Sequence, residues 1–302
     1  MASNISAAQR RVMRMNEKLV EFLLFLCAAS SVLITAAIVG VLVYESYGFF
    51  RHVPIVEFLT DTMWTPLFSE PRYGILPLLC GTLLTTVVAM CVAGPLGLTA
   101  AIYLSEFASP PVREGIKPTL ELLSGVPTVV YGFFALLFVT PLLQKFIPGL
   151  PGFNVLSAGI VMGIMIIPYV ASLSEDAMRA VPNALRDGSL ALGATRLETA
   201  LMVVFPSALS GIAAAFVLGI SRAVGETMVV AIAAGQQPNL TFDPREPAAT
   251  VTAYIVQVAL GDLPHGSIGY QTIFAAGLTL LLITLVFNVI AFWLRAKFRE
   301  AY

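Results

Sequence analysis

Six stretches of the chain are apolar over enough consecutive positions to cross a bilayer as helices, which takes about 20 residues. They are 19–43, 75–104, 119–143, 155–173, 207–234 and 271–293. Tyr44, Tyr47, Phe49 and Phe50 close the first run with aromatic side chains suited to the membrane–water interface. Gly94-Pro95 is expected to break the second run and Pro127 to kink the third. In the fourth, Gly159 and Gly163 have the spacing that lets two helices approach closely. The intervening segments are polar or rich in Pro and Gly. The basic segment 1–18 is expected to form a short surface helix, 51–73 and 236–269 two loops on one side, and Ala248–Leu260 a surface helix within the second loop.

The fifth run breaks the apolar pattern. Arg222 lies about 22 Å of helical rise from Ser207 and about 18 Å from Ala234, near the midplane of a span. Glu226 follows four residues later, on the same face of a continuous helix. Facing lipid, each charge costs roughly 2.5–3.5 kcal/mol, so the pair is expected to face other helices or a polar path. It then acts either as an internal bridge pinning helices or as a cationic station for a passing anion. The second reading is favoured, because ionisable residues inside membranes mark substrate pathways. Ser221 and Thr227 flank the pair and join the candidate path, and Gly219 and Gly225 let another backbone approach.

Composition fits a polytopic all-α membrane protein. Hydrophobic residues make up 58% of the chain and charged residues 12%, about half the share of a soluble domain. No basic patch with interleaved aromatics points to nucleic acid. Cys27, Cys80 and Cys91 all fall in apolar runs and read as small buried hydrophobes. The isolated histidines His52 and His265 offer no metal site. Arg10-Arg11 precedes an apolar run too long for a cleaved signal, so that run reads as a retained span.

The basic residues set the orientation. Arg10, Arg11, Arg14, Lys18, Arg113, Lys117, Arg179, Arg186, Arg196, Arg295, Lys297 and Arg299 fall on the side of the termini; Arg51, Arg72, Lys145 and Arg245 fall on the other. Six spans with both termini cytoplasmic follow, the membrane domain occupying 19–299. Glu106 and Glu121 are then solvated residues near the cytoplasmic face, and Asn288 is expected to hydrogen bond between helices.

The segment 174–206 between the fourth and fifth runs is the second candidate site. A short helix is expected from Asn183 to Leu192, stopped by Gly193, and Thr195-Arg196-Leu197-Glu198 fits a capping box that starts another. Leu190, Leu192, Leu197 and Leu201 then project from a two-helix knob. The residues alone leave two readings nearly even, a docking knob or an amphipathic hairpin on the membrane surface.

Asp187-Gly188-Ser189, three residues, Gly193, nine residues, then Val203-Val204-Phe205-Pro206 resembles the EAA loop of ABC-importer permeases, with Asp in place of its Glu and Gly-Ser in place of Ala-Ala. Pro95-Leu96-Gly97, Ala101 to Glu106, Glu121 to Phe133, and Arg222-Ala223-Val224-Gly225-Glu226-Thr227-Met228 resemble the phosphate ABC permeases of the PstC type. The resemblance implies a type I ABC importer fold in a bacterial plasma (inner) membrane. It implies a heterodimer with a PstA-like second permease, a PstB-like ATPase dimer, and a PstS-like extracytoplasmic phosphate-binding protein. Phosphate would pass Arg222, and the knob residues Asp187, Gly188, Ser189, Leu190, Leu192, Gly193 and Leu197, with Pro206 at the span entry, would couple to the ATPase. No lysine follows a glycine, so the chain has no phosphate loop; ATP and Mg would bind the partner, and this chain is expected to hold no cofactor. The alternatives are a permease for sulfate, molybdate or another oxyanion, an ion-coupled secondary carrier working alone, or a scaffold with no flux.

Overall fold

The computed structural model describes the backbone of residues 7–264 and 266–297, and the side chains of residues 17–264 and 266–293. Residues 1–6 of the basic segment, His265 and Arg299 therefore lie outside the described residues. The described chain is helical, with two isolated β-bridges, Trp64 to Tyr73 and Gly235 to Ala248.

In chain order the helices are α1 (Ala7–Phe50), α2 (Ile55–Thr60), α3 (Leu76–Ile102), α4 (Pro110–Ser124), α5 (Thr128–Phe134), α6 (Thr140–Gln144) and α7 (Val155–Arg179). After these come α8 (Asn183–Ala191), α9 (Arg196–Thr199), α10 (Phe205–Ser207), α11 (Leu209–Val224), α12 (Met228–Ala233), α13 (Val251–Ala259) and α14 (Ile268–Lys297). Three π-helical turns, Tyr103–Phe107, Ala135–Val139 and Ala200–Val204, extend or join them. The last two sit just ahead of Pro141 and Pro206, where a widened turn takes up the missing N–H and the ring's clash with the preceding carbonyls.

Among the described residues, four stretches are long and apolar enough to cross a membrane unbroken: Glu17–Phe50, Leu76–Phe107, Val155–Arg179 and Ile268–Trp293. The third and fifth expected spans are broken instead. Pro110–Ser124 and Thr128–Gln144 meet at 87°, and Arg196–Ser207 meets Leu209–Val224 at 73°. The first bend falls at Gly125-Val126-Pro127, so Pro127 ends one helix and opens the next rather than kinking a continuous one. The polar segment 105–117 between the second and third runs is largely helical, through the end of a π-helical turn and the first half of α4. Gly94-Pro95, by contrast, leaves α3 unbroken, with Thr99 Oγ1 donating to the Pro95 carbonyl. The N-terminal helix is likewise continuous from Ala7, with no boundary at residue 18.

The parallel pair α3 and α7 forms the centre. A Cβ at Gly159 would lie 2.6 Å from Val88 Cγ1, and one at Gly163 would lie 2.7 Å from the Ala89 carbonyl oxygen. The two small residues thus bring the backbones together. Around this pair the central core gathers Met162, Met165, Ile166, Tyr131, Val229 and Val230. A second core at the α13 end joins Phe49, Phe58, Trp64, Ile75 and Tyr254. The expected surface helix is therefore internal: Val251, Ala253, Tyr254 and Val258 of α13 are buried. A third core, at the α8 end, joins Ala101, Met178, Val204 and Ile212.

Two smaller expectations also change. Cys80 is buried, donating to the Thr241 carbonyl, but Cys27 and Cys91 are exposed on the chain's apolar exterior. Asn288 is exposed and donates to the Thr284 carbonyl of its own helix rather than across to another.

Candidate functional site

The helix carrying Arg222 ends almost at once. α11 stops at Val224, Gly225 caps it, and α12 begins at Met228, so Arg222 and Glu226 do not share a helix as expected. Breaking the helix leaves N–H groups without intrahelical partners. Glu226 turns its carboxylate to them: Oε1 accepts from the N–H of Met228 at 3.1 Å and of Val229 at 3.4 Å. The break is held from three sides. Thr252 Oγ1 of α13 donates to the Glu226 carbonyl at 2.7 Å. A Cβ on Gly132 of α5 would lie 3.1 Å from the Met228 carbonyl oxygen, so only glycine admits that approach without displacement. The Tyr169 ring of α7 faces Arg222, with the guanidinium carbon 6.0 Å from its centroid.

Tyr169 lies about 21 Å of helical rise from the start of α7 and about 15 Å from its end. The site thus faces the middle of α7. Arg222 is loosely held there. Its Nη2 reaches Glu226 Oε2 only at 3.7 Å, its Nε is buried without a partner, and its side chain is 40% exposed against 3% for Glu226. Ser221 Oγ beside it is also buried without a partner, and Thr227 Oγ1 makes only a 3.4 Å contact with the Gly225 carbonyl. Glu226 is thus built into the backbone while Arg222 retains free donors. Gly219 packs against Ile166 and Val170, with a Cβ there 3.3 Å from both; Gly225 approaches no other helix.

The second candidate site is a separate region at the other end of α11. Gly193 has φ +89°, the left-handed conformation glycine tolerates best, and it turns the chain between α8 and α9. The capping box forms: Glu198 N–H donates to Thr195 Oγ1, and Thr195 N–H donates to Glu198 Oε2 at 2.7 Å. Ser189 and Thr199 hydroxyls meet at 3.0 Å across the turn. Leu190, Leu192 and Leu197 are exposed, Leu192 at 92%. Asp187 and Gly188 are exposed beside them, while Pro206 stands apart, beyond the π-helical turn.

Two ion-pair groups near this knob were not anticipated. Arg186 of α8 pairs with Glu106 at 3.0 Å, so Glu106 is not the solvated residue its position suggested; Glu121 is exposed as expected. Lys117 of α4 bridges Glu175 at 2.6 Å and Asp176 at 2.5 Å, both on the last turns of α7. Their signal in the sequence was a charge set just beyond an apolar run, which spacing alone does not pair. Among the described residues, no three His, Cys, Asp or Glu side chains gather to hold a metal.

The family model described as the binding-protein-dependent transport system inner membrane component matches residues 93–300. The chain belongs to that family. This inner-membrane transport component is 35% identical over 303 residues to the probable ABC transporter permease protein YqgH of Bacillus subtilis, covering 97% of both chains. It is 33% identical to the phosphate transport system permease protein PstC of Mesorhizobium japonicum, over 78% of this chain and 76% of that one. The probable PstC of Methanocaldococcus jannaschii is 30% identical over 84% of this chain and 87% of its own. Among solved structures, a bacterial ABC transporter involved in import of the acidic polysaccharide alginate superposes with a TM-score of 0.65 at 15% identity, covering 96% of this chain and all of that one. The MetNI methionine ABC transporter superposes at 0.54 and 15% identity, over 75% of this chain and 95% of that one. These two likenesses concern the fold, that of ABC importer permeases. The relatives are named as permease components of transporters.

Proposed function

We propose that the chain is one half of the membrane path of an ATP-driven importer of inorganic phosphate, the anion named for its PstC relatives. The single observation that carries the reading is Arg222: a guanidinium facing the middle of α7, 40% exposed, with a buried donor unspent and only a 3.7 Å contact to its neighbouring carboxylate. A planar fork of N–H donors suits a tetrahedral oxyanion, since it donates in pairs. Glu226, fixed by two backbone N–H groups, limits how tightly an anion can be held, so the station passes its cargo on. Ser221 and Thr227 supply hydroxyls beside it. A structural bridge that merely pinned two helices would instead have both partners buried and mutually saturated.

Both termini face the cytoplasm in this reading, and Arg222 meets phosphate delivered by an extracytoplasmic binding protein of the PstS kind. The other half of the path is a PstA-like permease. The knob from Asn183 to Phe205, with Asp187, Gly188, Ser189, Leu190, Leu192, Gly193 and Leu197, seats on a PstB-like ATPase dimer, which binds ATP and Mg. The exposed leucines fit a protein groove better than a membrane surface, because the Arg186–Glu106 pair draws α8 against the end of α3.

The test is reconstitution in proteoliposomes with the second permease, the ATPase and the binding protein. Phosphate uptake is expected only with ATP and is expected to resist excess sulfate and molybdate. Uptake without the ATPase would overturn the ABC assignment in favour of a carrier. Full competition by sulfate or molybdate would change the cargo and leave the architecture standing.

A further inference from the structure

Arg186 makes more bonds than a surface knob needs. Its Nε donates to both Glu106 carboxylate oxygens, at 3.3 and 3.2 Å, and its Nη2 donates to Glu106 Oε1 at 3.0 Å. The same guanidinium donates to the Val181 carbonyl at 2.6 Å and the Met178 carbonyl at 2.8 Å. The Met178 carbonyl lies in the last turn of α7 and also accepts from the Val181 N–H at 3.2 Å, so Arg186 adds a second bond to it. Glu106 sits in the π-helical turn that prolongs α3, and also accepts from Ser105 Oγ. One side chain therefore ties α8 to the ends of both α3 and α7. The pair is largely buried, with side-chain exposures of 16% for Arg186 and 10% for Glu106.

Two routes lead from the knob into the membrane. One follows the chain through Gly193, α9, the π-helical turn and the 73° bend at Ala208 to α11. That route passes a glycine, a widened turn and a break. The other crosses through Arg186 to α3 and α7, the closely packed central pair, of which α7 carries Tyr169 against Arg222. A bidentate buried ion pair transmits displacement better than a hinged loop, because separating it strands a charge in a low-dielectric setting.

We infer that Arg186 and Glu106 are positioning residues that carry movement of the knob directly into α3 and α7, and so couple ATP hydrolysis to transport. The inference rests on the reading of the knob as the ATPase contact. Asp187, one residue on, remains exposed and free for the partner, so docking and transmission fall to adjacent residues of one helix.

The experiment uses the complete complex in proteoliposomes, with ATP hydrolysis and phosphate uptake measured together for Glu106→Gln, Arg186→Lys and Glu106→Asp. Glu106→Gln and Arg186→Lys are expected to retain the ATPase at wild-type stoichiometry and to keep hydrolysing ATP. Phosphate imported per ATP should fall at least about fivefold in both, the lower end of usual coupling between sites. Glu106→Asp, which keeps the charge, should recover most of the ratio. An unchanged ratio in Glu106→Gln and Arg186→Lys would overturn the transmission role. Loss of the ATPase from both would assign the pair to shaping the dock, and loss of both permeases from the membrane would assign it to folding; either overturns the inference. Leu192→Asp separates the two layers: it should release the ATPase, and an ATPase still bound would overturn the docking reading and this inference with it.

Discussion

The two ends of the molecule differ in what is laid over their apolar cores. At the α13 end, aromatic rings meet edge to face: Phe49 with Phe58 at 5.8 Å, Phe58 with Trp64 at 6.2 Å, and Trp64 with Tyr254 at 5.0 Å between centroids. The hydroxyls of Tyr254 and Thr272 share a 2.7 Å hydrogen bond. At the α8 end a small aliphatic core is joined by ion pairs between elements, Arg186 with Glu106 and Lys117 with Glu175 and Asp176. Burying aromatic area is favourable outright. Burying a charge pair recovers little beyond its desolvation, and the best-attested use of such pairs is register or switching. The difference marks the α13 end as a fixed frame and the α8 end as the part whose contacts are meant to be specific and remade.

The largest effect that tests this contrast belongs to the frame. Trp64→Ala removes a 2%-exposed indole and should cost about 3–5 kcal/mol, seen as a lower thermal unfolding midpoint of the purified protein. A midpoint near wild type would dissolve the distinction. Lys117→Met leaves Glu175, 1% exposed, with only Arg179 at 3.7 Å, and should cost about 1–3 kcal/mol. Adding Glu175→Met should restore most of that loss, since apolar replacement of a whole buried pair is often neutral or better. No second substitution at the α13 end has a comparable reason to rescue Trp64→Ala.

A smaller effect is expected at Gly193, whose φ of +89° makes a β-branched residue cost about 1–2 kcal/mol locally. Gly193→Val should lower phosphate imported per ATP while leaving subunit levels intact. Normal coupling would show that the turn is passive. The smallest effect lies in the loop after α12. Hydrogen bonds from the Arg245 guanidinium hold the Asp243 carboxyl down from 3.8 to about 2. A depressed carboxylate contributes above its unfolded value and is lost as pH falls through its folded one. Arg245→Ala removes the guanidinium but keeps the backbone N–H of residue 245 that donates to Asp243 Oδ1, so the carboxyl should titrate above about 2 but short of 3.8, followed by its carbon resonance in labelled protein. An unmoved titration would show that the pairing does not form in solution.

Much of this was legible in the chain. The apolar runs marked the spans because backbone groups in lipid must be satisfied within a helix, and Gly159 and Gly163 marked the close packing of α3 and α7. Thr195 and Glu198 announced their capping box because both halves of that motif are local. The breaks were harder. Pro95 sits inside an intact helix and Pro127 at an 87° corner, and a proline read from the chain alone does not say which it will be. The split at Gly225–Thr227 was hidden for the same reason: Glu226 four residues after Arg222 reads as a helical pair, and only the Thr252 and Gly132 contacts reveal a break. Arg186 with Glu106 lies 80 residues apart, beyond the reach of any spacing rule.

The account turns on Arg222, and the most direct measurement is phosphate uptake by Arg222→Gln in the fully assembled complex, against wild type and Arg222→Lys. Retained ATPase and a loss of uptake of at least about tenfold, the factor equivalent to 1.4 kcal/mol, with partial recovery in Arg222→Lys, is the expected result. Wild-type uptake by an assembled Arg222→Gln complex would mean that the anion crosses without meeting this guanidinium, and would contradict the account.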